Sequence, residues 1–188
     1  MMKIALSWGS LLLLVASQGI GQQQQGQRDA CGFIVQGEAS QPTVAGPDNI
    51  AQLVHLVEQP DSPIEIVSVN LQGTSLSVSD EEYTMRYTMH SCATYKVHNR
   101  SDRNIKTFDL ELLVSSGDGG GTHRAHSSSP LASGQTAEIK ACPGELVGTA
   151  PSKAHLSMLV SVQSVDFGDC FYRPSLRIPQ SLGVIPAW

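Results

Sequence analysis

From residue 64 onward, apolar and polar side chains alternate with a period of two, and that pattern predicts strands. Ile64, Ile66 and Val67-Ser68-Val69 open a first strand, which 71–79 extends past a bend near Gly73, and Asp80-Glu81-Glu82 reads as a turn. In 83–98, Met85, Tyr87, Met89, Ala93, Tyr95 and Val97 share one face, while Arg86, Thr88, His90, Thr94, Lys96 and His98 share the other. That is a long strand with one buried side and one wet side. Turn formers from Asn99 to Asn104 end it. Segment 105–114 then buries Phe108, Leu110, Leu112 and Val114 and points Asp109 and Glu111 outward. A further strand after Gly134 faces Ala137, Ile139 and Ala141 inward. In 156–167 the inward positions are Leu156, Met158, Val160 and Val162, and then Val165 and Phe167. The change of phase demands a bulge near Gln163-Ser164. Gly168-Asp169 marks a hairpin turn, with 170–173 as the returning strand.

Other stretches lack the period. Segments 115–129, with Gly119-Gly120-Gly121, and 143–153 read as loops. In 48–62 two readings stand. Asp48 suits a helix cap, with Ile50, Leu53, Val54 and Val57 on one helical face, yet 53–57 also fits a strand. Residues 22–47 begin with the polar tract Gln22-Gln23-Gln24-Gln25-Gly26-Gln27, which has nothing to bury and predicts a flexible arm. Within it, 31–35 has the pattern of a short strand. Pro174 and Pro179 confine the end, 176–188, to an extended tail. Six to eight short strands with almost no helix are most simply buried as a β-sandwich over 63–175.

Residues 1–21 have the three parts of a secretory signal: Lys3, the apolar stretch centred on Leu11-Leu12-Leu13-Leu14-Val15, and Gly19 and Gly21 before the cut. The expected location is secreted or periplasmic. No later segment is long and apolar enough to span a bilayer, so no stable membrane insertion is expected. The net charge of −5, with no basic cluster, argues against nucleic acid as a partner. Aromatics at 5% argue against a broad stacking platform for sugars or bases.

With the strands laid out, Tyr95-x-Val97-x-Asn99-x-Ser101-x-x-x-Ile105-x-x-Phe108-x-Leu110-x-Leu112 resembles the strand–turn–strand core of small immunoglobulin-like or fibronectin-III-like modules of secreted bacterial proteins. Pro130-Leu131-x-x-Gly134 resembles the step into the next strand, and Val162 to Tyr172 the closing hairpin. The resemblance implies an all-β, immunoglobulin-like antiparallel β-sandwich. Such modules supply no catalytic residues to carry over. The chain departs from antibody domains, because Cys92 lies off the apolar face with no core tryptophan beside it.

Four cysteines, Cys31, Cys92, Cys142 and Cys170, allow three pairings into two disulfides. Strand phase places Cys92 and Cys142 on polar faces. In an immunoglobulin-like topology their strands are neighbours, so Cys92–Cys142 is the expected bridge, leaving Cys31–Cys170 to pin the arm to the last hairpin. No pair has C-x-x-C spacing, which argues against a thiolate metal site.

His123 and His126, three apart in a glycine-rich stretch near Asp118, are the candidate metal ligands. His90 and His98 are about 26 Å apart along one strand, too far to share an ion. Asn99-Arg100-Ser101 has the form of a glycosylation acceptor, though turn formation is the preferred account of Asn99. G-x-S-x-G, H-E-x-x-H, P-loop and dinucleotide fingerprints are absent. The sequence therefore points to a non-catalytic module, without a cofactor, that binds or supports an extracellular or cell-envelope protein or glycan through the loops 115–129 and 143–153. A loop-borne metal protein is the first alternative, and a hydrolase without a signature the second.

Overall fold

The computed structural model describes residues 31–32, 40–81, 84–115, 120–150 and 156–176. The signal, the glutamine tract, the rest of the short strand at 31–35 and the tail beyond 176 lie outside these residues. In chain order the elements are β1 (Thr43–Ala45), α1 (Asp48–Ala51), β2 (Val54–Leu56), β3 (Ile64–Asn70), β4 (Ser75–Glu81), β5 (Thr84–Asn99), β6 (Thr107–Ser115), β7 (Gly120–Ser127), β8 (Thr136–Ala150), β9 (Ser157–Asp166) and β10 (Phe171–Tyr172). Segment 48–62 holds both of its predicted alternatives, one helical turn and then a short strand. Pro47 rather than Asp48 caps that turn, its carbonyl accepting from the Ile50 and Ala51 amides.

Two five-stranded sheets result. In the first, β3 and β4 follow one another along one side of β5, and β8 pairs with the whole other side. In the second, β6 lies between β7 and β9, and β2 and β10 share the far edge of β9. The sheets are mixed: β1 runs parallel to β3 and β2 parallel to β9, and every other pairing is antiparallel. The described end of the arm is therefore docked as an edge strand, with the Leu71 amide donating to the Ala45 carbonyl.

Inward side chains of both sheets meet in one core. Val69, Met89, Tyr95 and Val97 come from the first sheet, and Phe108, Leu110, Met158 and Val160 from the second. Each such side chain contributes about 1.5–3 kcal/mol by leaving water. The bulge demanded by the apolar phase is present: Asp109 pairs with Ser164 and Leu110 with Val162, so Gln163 is the extra residue. It leaves Val162 unserved between β2 and β10. The Gln59 amide fills the gap, donating to the Val162 carbonyl (2.6 Å) and accepting from its N–H (2.7 Å).

A comparable device sits around Cys92. On one side of β5, the four residues Leu71 to Thr74 pass three, Ser91 to Ala93. On the other side, Cys142 and Pro143 together oppose Cys92. Pro143 has no N–H to give, so a bulge is where β8 tolerates it, and Gly144 beside it takes φ +105°. The Thr74 hydroxyl serves the Cys92 backbone, accepting from its N–H (3.1 Å) and donating to its carbonyl (2.8 Å).

The segments read as loops are corrected by the structure. β7 occupies most of 115–129, and β8 runs unbroken through 143–150. Their inward positions escape the apolar pattern because neighbours supply the bulk. A Cβ on Gly121 would meet Leu146 Cδ2 at 2.3 Å, and one on Gly148 would meet the Tyr87 hydroxyl oxygen at 2.4 Å.

Candidate functional site

The outer face of the second sheet sets acidic side chains of one strand against basic side chains of the next. Cross-strand register sets His126 beside Asp109 and Arg124 beside Glu111. Across β6, the bulge turns both Gln163 and Ser164 outward. Asp109 Oδ1 meets His126 Nδ1 at 2.8 Å, and Asp109 Oδ2 accepts from the Ser164 hydroxyl at 2.8 Å. Glu111 lies 3.8 Å from the Arg124 guanidinium and accepts from the Gln163 amide.

Burial sorts these groups into two tiers. The Glu111 side chain is 4% exposed, whereas those of Arg124 and His126 are 70% and 58% exposed. Carboxylates beneath thus brace basic groups above. Partial burial by itself would push the Asp109 carboxyl up. Hydrogen bonds from His126 and Ser164, with the charges of His126 and Arg124, outweigh it and hold the pKa below the usual carboxylate value. Asp109 is therefore ionised at neutral pH and fixes the imidazole by its Nδ1, leaving Nε2 toward solvent.

This is not a Ser–His–Asp relay. Ser164 donates to the carboxylate and not to the imidazole, so no base is set against that hydroxyl.

The two candidate metal ligands are not brought together. His126 shares the outer face with Asp109, while His123, paired with Leu112, faces inward. His123 Nε2 is buried without a hydrogen-bond partner, and burial lowers the pKa of the ring. Among the described residues, no three His, Cys, Asp or Glu side chains converge as a metal-binding group. Asp118 lies outside the described residues.

Both disulfides join the expected cysteines. Cys92–Cys142 crosses from β5 to β8 with Cα atoms 4.0 Å apart, and Cys31–Cys170 ties the arm to the β9–β10 connection with Cα atoms 5.7 Å apart. Two bridges indicate an oxidising compartment, extracellular or periplasmic. No described helix is long and apolar enough to cross a membrane.

Asn99 of the acceptor motif is fully buried. Its Nδ2 donates to the carbonyls of Arg103 (2.7 Å) and Leu131 (3.1 Å), and its Oδ1 accepts from the Ser101 N–H (3.0 Å) and hydroxyl (2.6 Å). The amide nitrogen that glycosylation requires is spent on the β5–β6 turn.

Sequence reasoning found the outward phase of Asp109 and Glu111 and singled out His126. It missed Arg124 and Ser164, whose partners lie on other strands. The usable signal was the bulge, which brings a second polar residue of β9 onto the outer face. Comparison with protein families, with curated proteins and with solved structures finds no match to this chain.

Proposed function

We propose that the protein is a secreted, non-catalytic binding module of the extracellular or cell-envelope space, of immunoglobulin-like or fibronectin-III-like type. Its binding surface is the outer face of β7 with the β6 carboxylates beneath. One observation carries the reading: Arg124 and His126 stand exposed, with the drier Glu111 3.8 Å from the first and Asp109 hydrogen-bonded to the second at 2.8 Å. Pre-positioned donors lose little conformational freedom when a partner arrives, and arginine is favoured in such contacts. The matching partner surface is acidic, a carboxylate-bearing protein or glycan.

A photo-crosslinking residue at exposed Thr122, beside this row, tests the proposal on the native cell surface or matrix. The same residue at Ser77, on the first sheet, is the control. A discrete adduct from position 122 that is lost in Arg124→Ala/His126→Ala supports the reading. Adducts of equal yield from both positions, or none from either, overturn it.

A further inference from the structure

We propose that two copies of this chain associate edge to edge through residues 144–150 of β8, paired antiparallel about a twofold axis at Val147. The outer edges of β9 and β3 are at least partly taken. On β9, the strands β2 and β10 and the Gln59 amide between them occupy the far edge, and β1 covers Ser68–Asn70 of β3. β8 is 15 residues long, and among the described residues it pairs on one side alone, with β5.

The two halves of this edge differ in chemistry. The first half carries Glu138 and Lys140 and ends at the Pro143 bulge, features that discourage a visiting strand. From Gly144 to Ala150 there is no proline and no basic residue, and Glu145 is the single charge. Val147 is 49% exposed in the middle of it. An open edge of that composition templates another strand.

Register points to a second copy as the occupant. A twofold axis at Val147 sets the two valines side by side, Glu145 opposite Thr149, and Leu146 opposite the side-chain-free Gly148. Within one copy, Thr149 pairs with Arg86, and Glu145 pairs with His90 at 3.8 Å. Joining the copies therefore places each Glu145 in a row between its own His90 and Arg86 of the second copy. The acidic group gains a cation on the side where one copy alone offers none. The other open edges lack this complementarity. By sequence, β4 (Ser75–Glu81) holds no basic residue and β7 (Gly120–Ser127) no acidic one, so self-pairing there sets no opposite charges within the joined strands.

Sedimentation equilibrium of the disulfide-bonded protein, at up to about 100 μM, reads the assembly. A dimer is expected. Val147→Lys, which sets two ammonium groups together at the axis, raises its dissociation constant about tenfold or more. Glu138→Lys, on the guarded half, leaves it unchanged. Val147→Cys gives a covalent dimer on mild oxidation and Thr149→Cys does not, because neighbouring Cα atoms about 4.5–5.5 Å apart suit a disulfide at the axis alone. A wild-type monomer at the highest concentration overturns the proposal. So does a dimer indifferent to Val147→Lys, or a monomer whose β8 edge captures a strand of another protein. Circular dichroism of Val147→Lys separates loss of pairing from loss of fold, since the exposed side chain is not part of the core.

Discussion

Single side chains repair what the strands leave open, and Gln59 is the clearest case. Its amide stands in for one residue of a neighbouring strand at Val162, buried on both sides of the exchange. Gln59→Ala removes two hydrogen bonds and strands a buried N–H and a buried carbonyl, which costs about 2–4 kcal/mol. Gln59→Glu keeps the acceptor for the Val162 N–H but sets a second acceptor against the carbonyl, and is expected to cost at least as much. Urea unfolding checks both, and a loss under about 0.5 kcal/mol for Gln59→Ala would show the cap to be dispensable. Two titrating side chains bound the pH range. His123 has a folded pKa below its unfolded value because burial penalises the charged ring. As pH falls past the ordinary histidine value near 6.5, the unfolded chain takes the proton first, and stability drops until the folded pKa is reached. Tyr95 has the opposite shift, with burial raising its phenol to about 12. Stability is complete below the ordinary tyrosine value near 10 and is lost as pH climbs toward the folded pKa. His123→Leu should flatten the acid limb between pH 7 and 5, and Tyr95→Phe the alkaline limb, each read from urea midpoints across pH.

At the level of elements, what was legible depended on whether a strand packs with its own side chains. β5, β6 and β9 do so, and their inward apolar residues were readable from the period of two. The bulge in β9 was readable for the same reason, since Val162 and Val165 cannot both face inward on a regular strand. β7 and the second half of β8 were not legible. Their inward positions include Gly121, His123, Ser127 and Gly148, and the missing volume comes from Leu146 and Tyr87 on other strands. Sequence order hides such borrowing. The site was half legible on the same terms, because Asp109 and Glu111 declare their phase while their partners declare themselves only through register. The bulge also yields a prediction about deletions. Removing Gln163 leaves Val162 inward, Ser164 outward and Val165 inward, a regular alternation. Removing Ser161 turns Val162 outward and Gln163 inward. The Gln163 deletion is therefore expected to fold, losing about 1–3 kcal/mol with the Glu111 contact. The Ser161 deletion should lose the cooperative transition or cost more than about 4 kcal/mol, for an emptied core position and a buried amide. Equal tolerance of the two in thermal unfolding would show that the bulge does not set the phase of β9.

For the whole molecule, the two disulfides have separate consequences that sequence separation alone ranks in the wrong order. Cys31 and Cys170 are 139 residues apart, and Cys92 and Cys142 are 50 apart. Loop-closure entropy assigns about 5 kcal/mol to the first bridge and about 4 kcal/mol to the second, through the freedom each removes from the unfolded chain. The folded state answers differently to the loss of each. Cys92 and Cys142 lie within β5 and β8, at the bulge of their ladder, and the pairing continues on both sides of it. Cutting their bridge releases nothing in the native fold, so the full unfolded-state contribution is lost. Among the described residues Cys31 belongs to no strand, and the next described element toward the body begins at Thr43. Cutting its bridge lets that end leave the β9–β10 connection while both sheets persist, and the freedom regained by the folded chain offsets part of the freedom regained by the unfolded one. Cys92→Ser/Cys142→Ser should therefore lower stability more than Cys31→Ser/Cys170→Ser, by roughly 1 kcal/mol or more. Amide exchange separates the causes: the first pair of substitutions should lower protection across the core of both sheets by one common factor, and the second should lower it chiefly at β10 and the turn before it. A larger global loss for Cys31→Ser/Cys170→Ser would mean that the arm is a structural part of the sandwich and not an attachment to it.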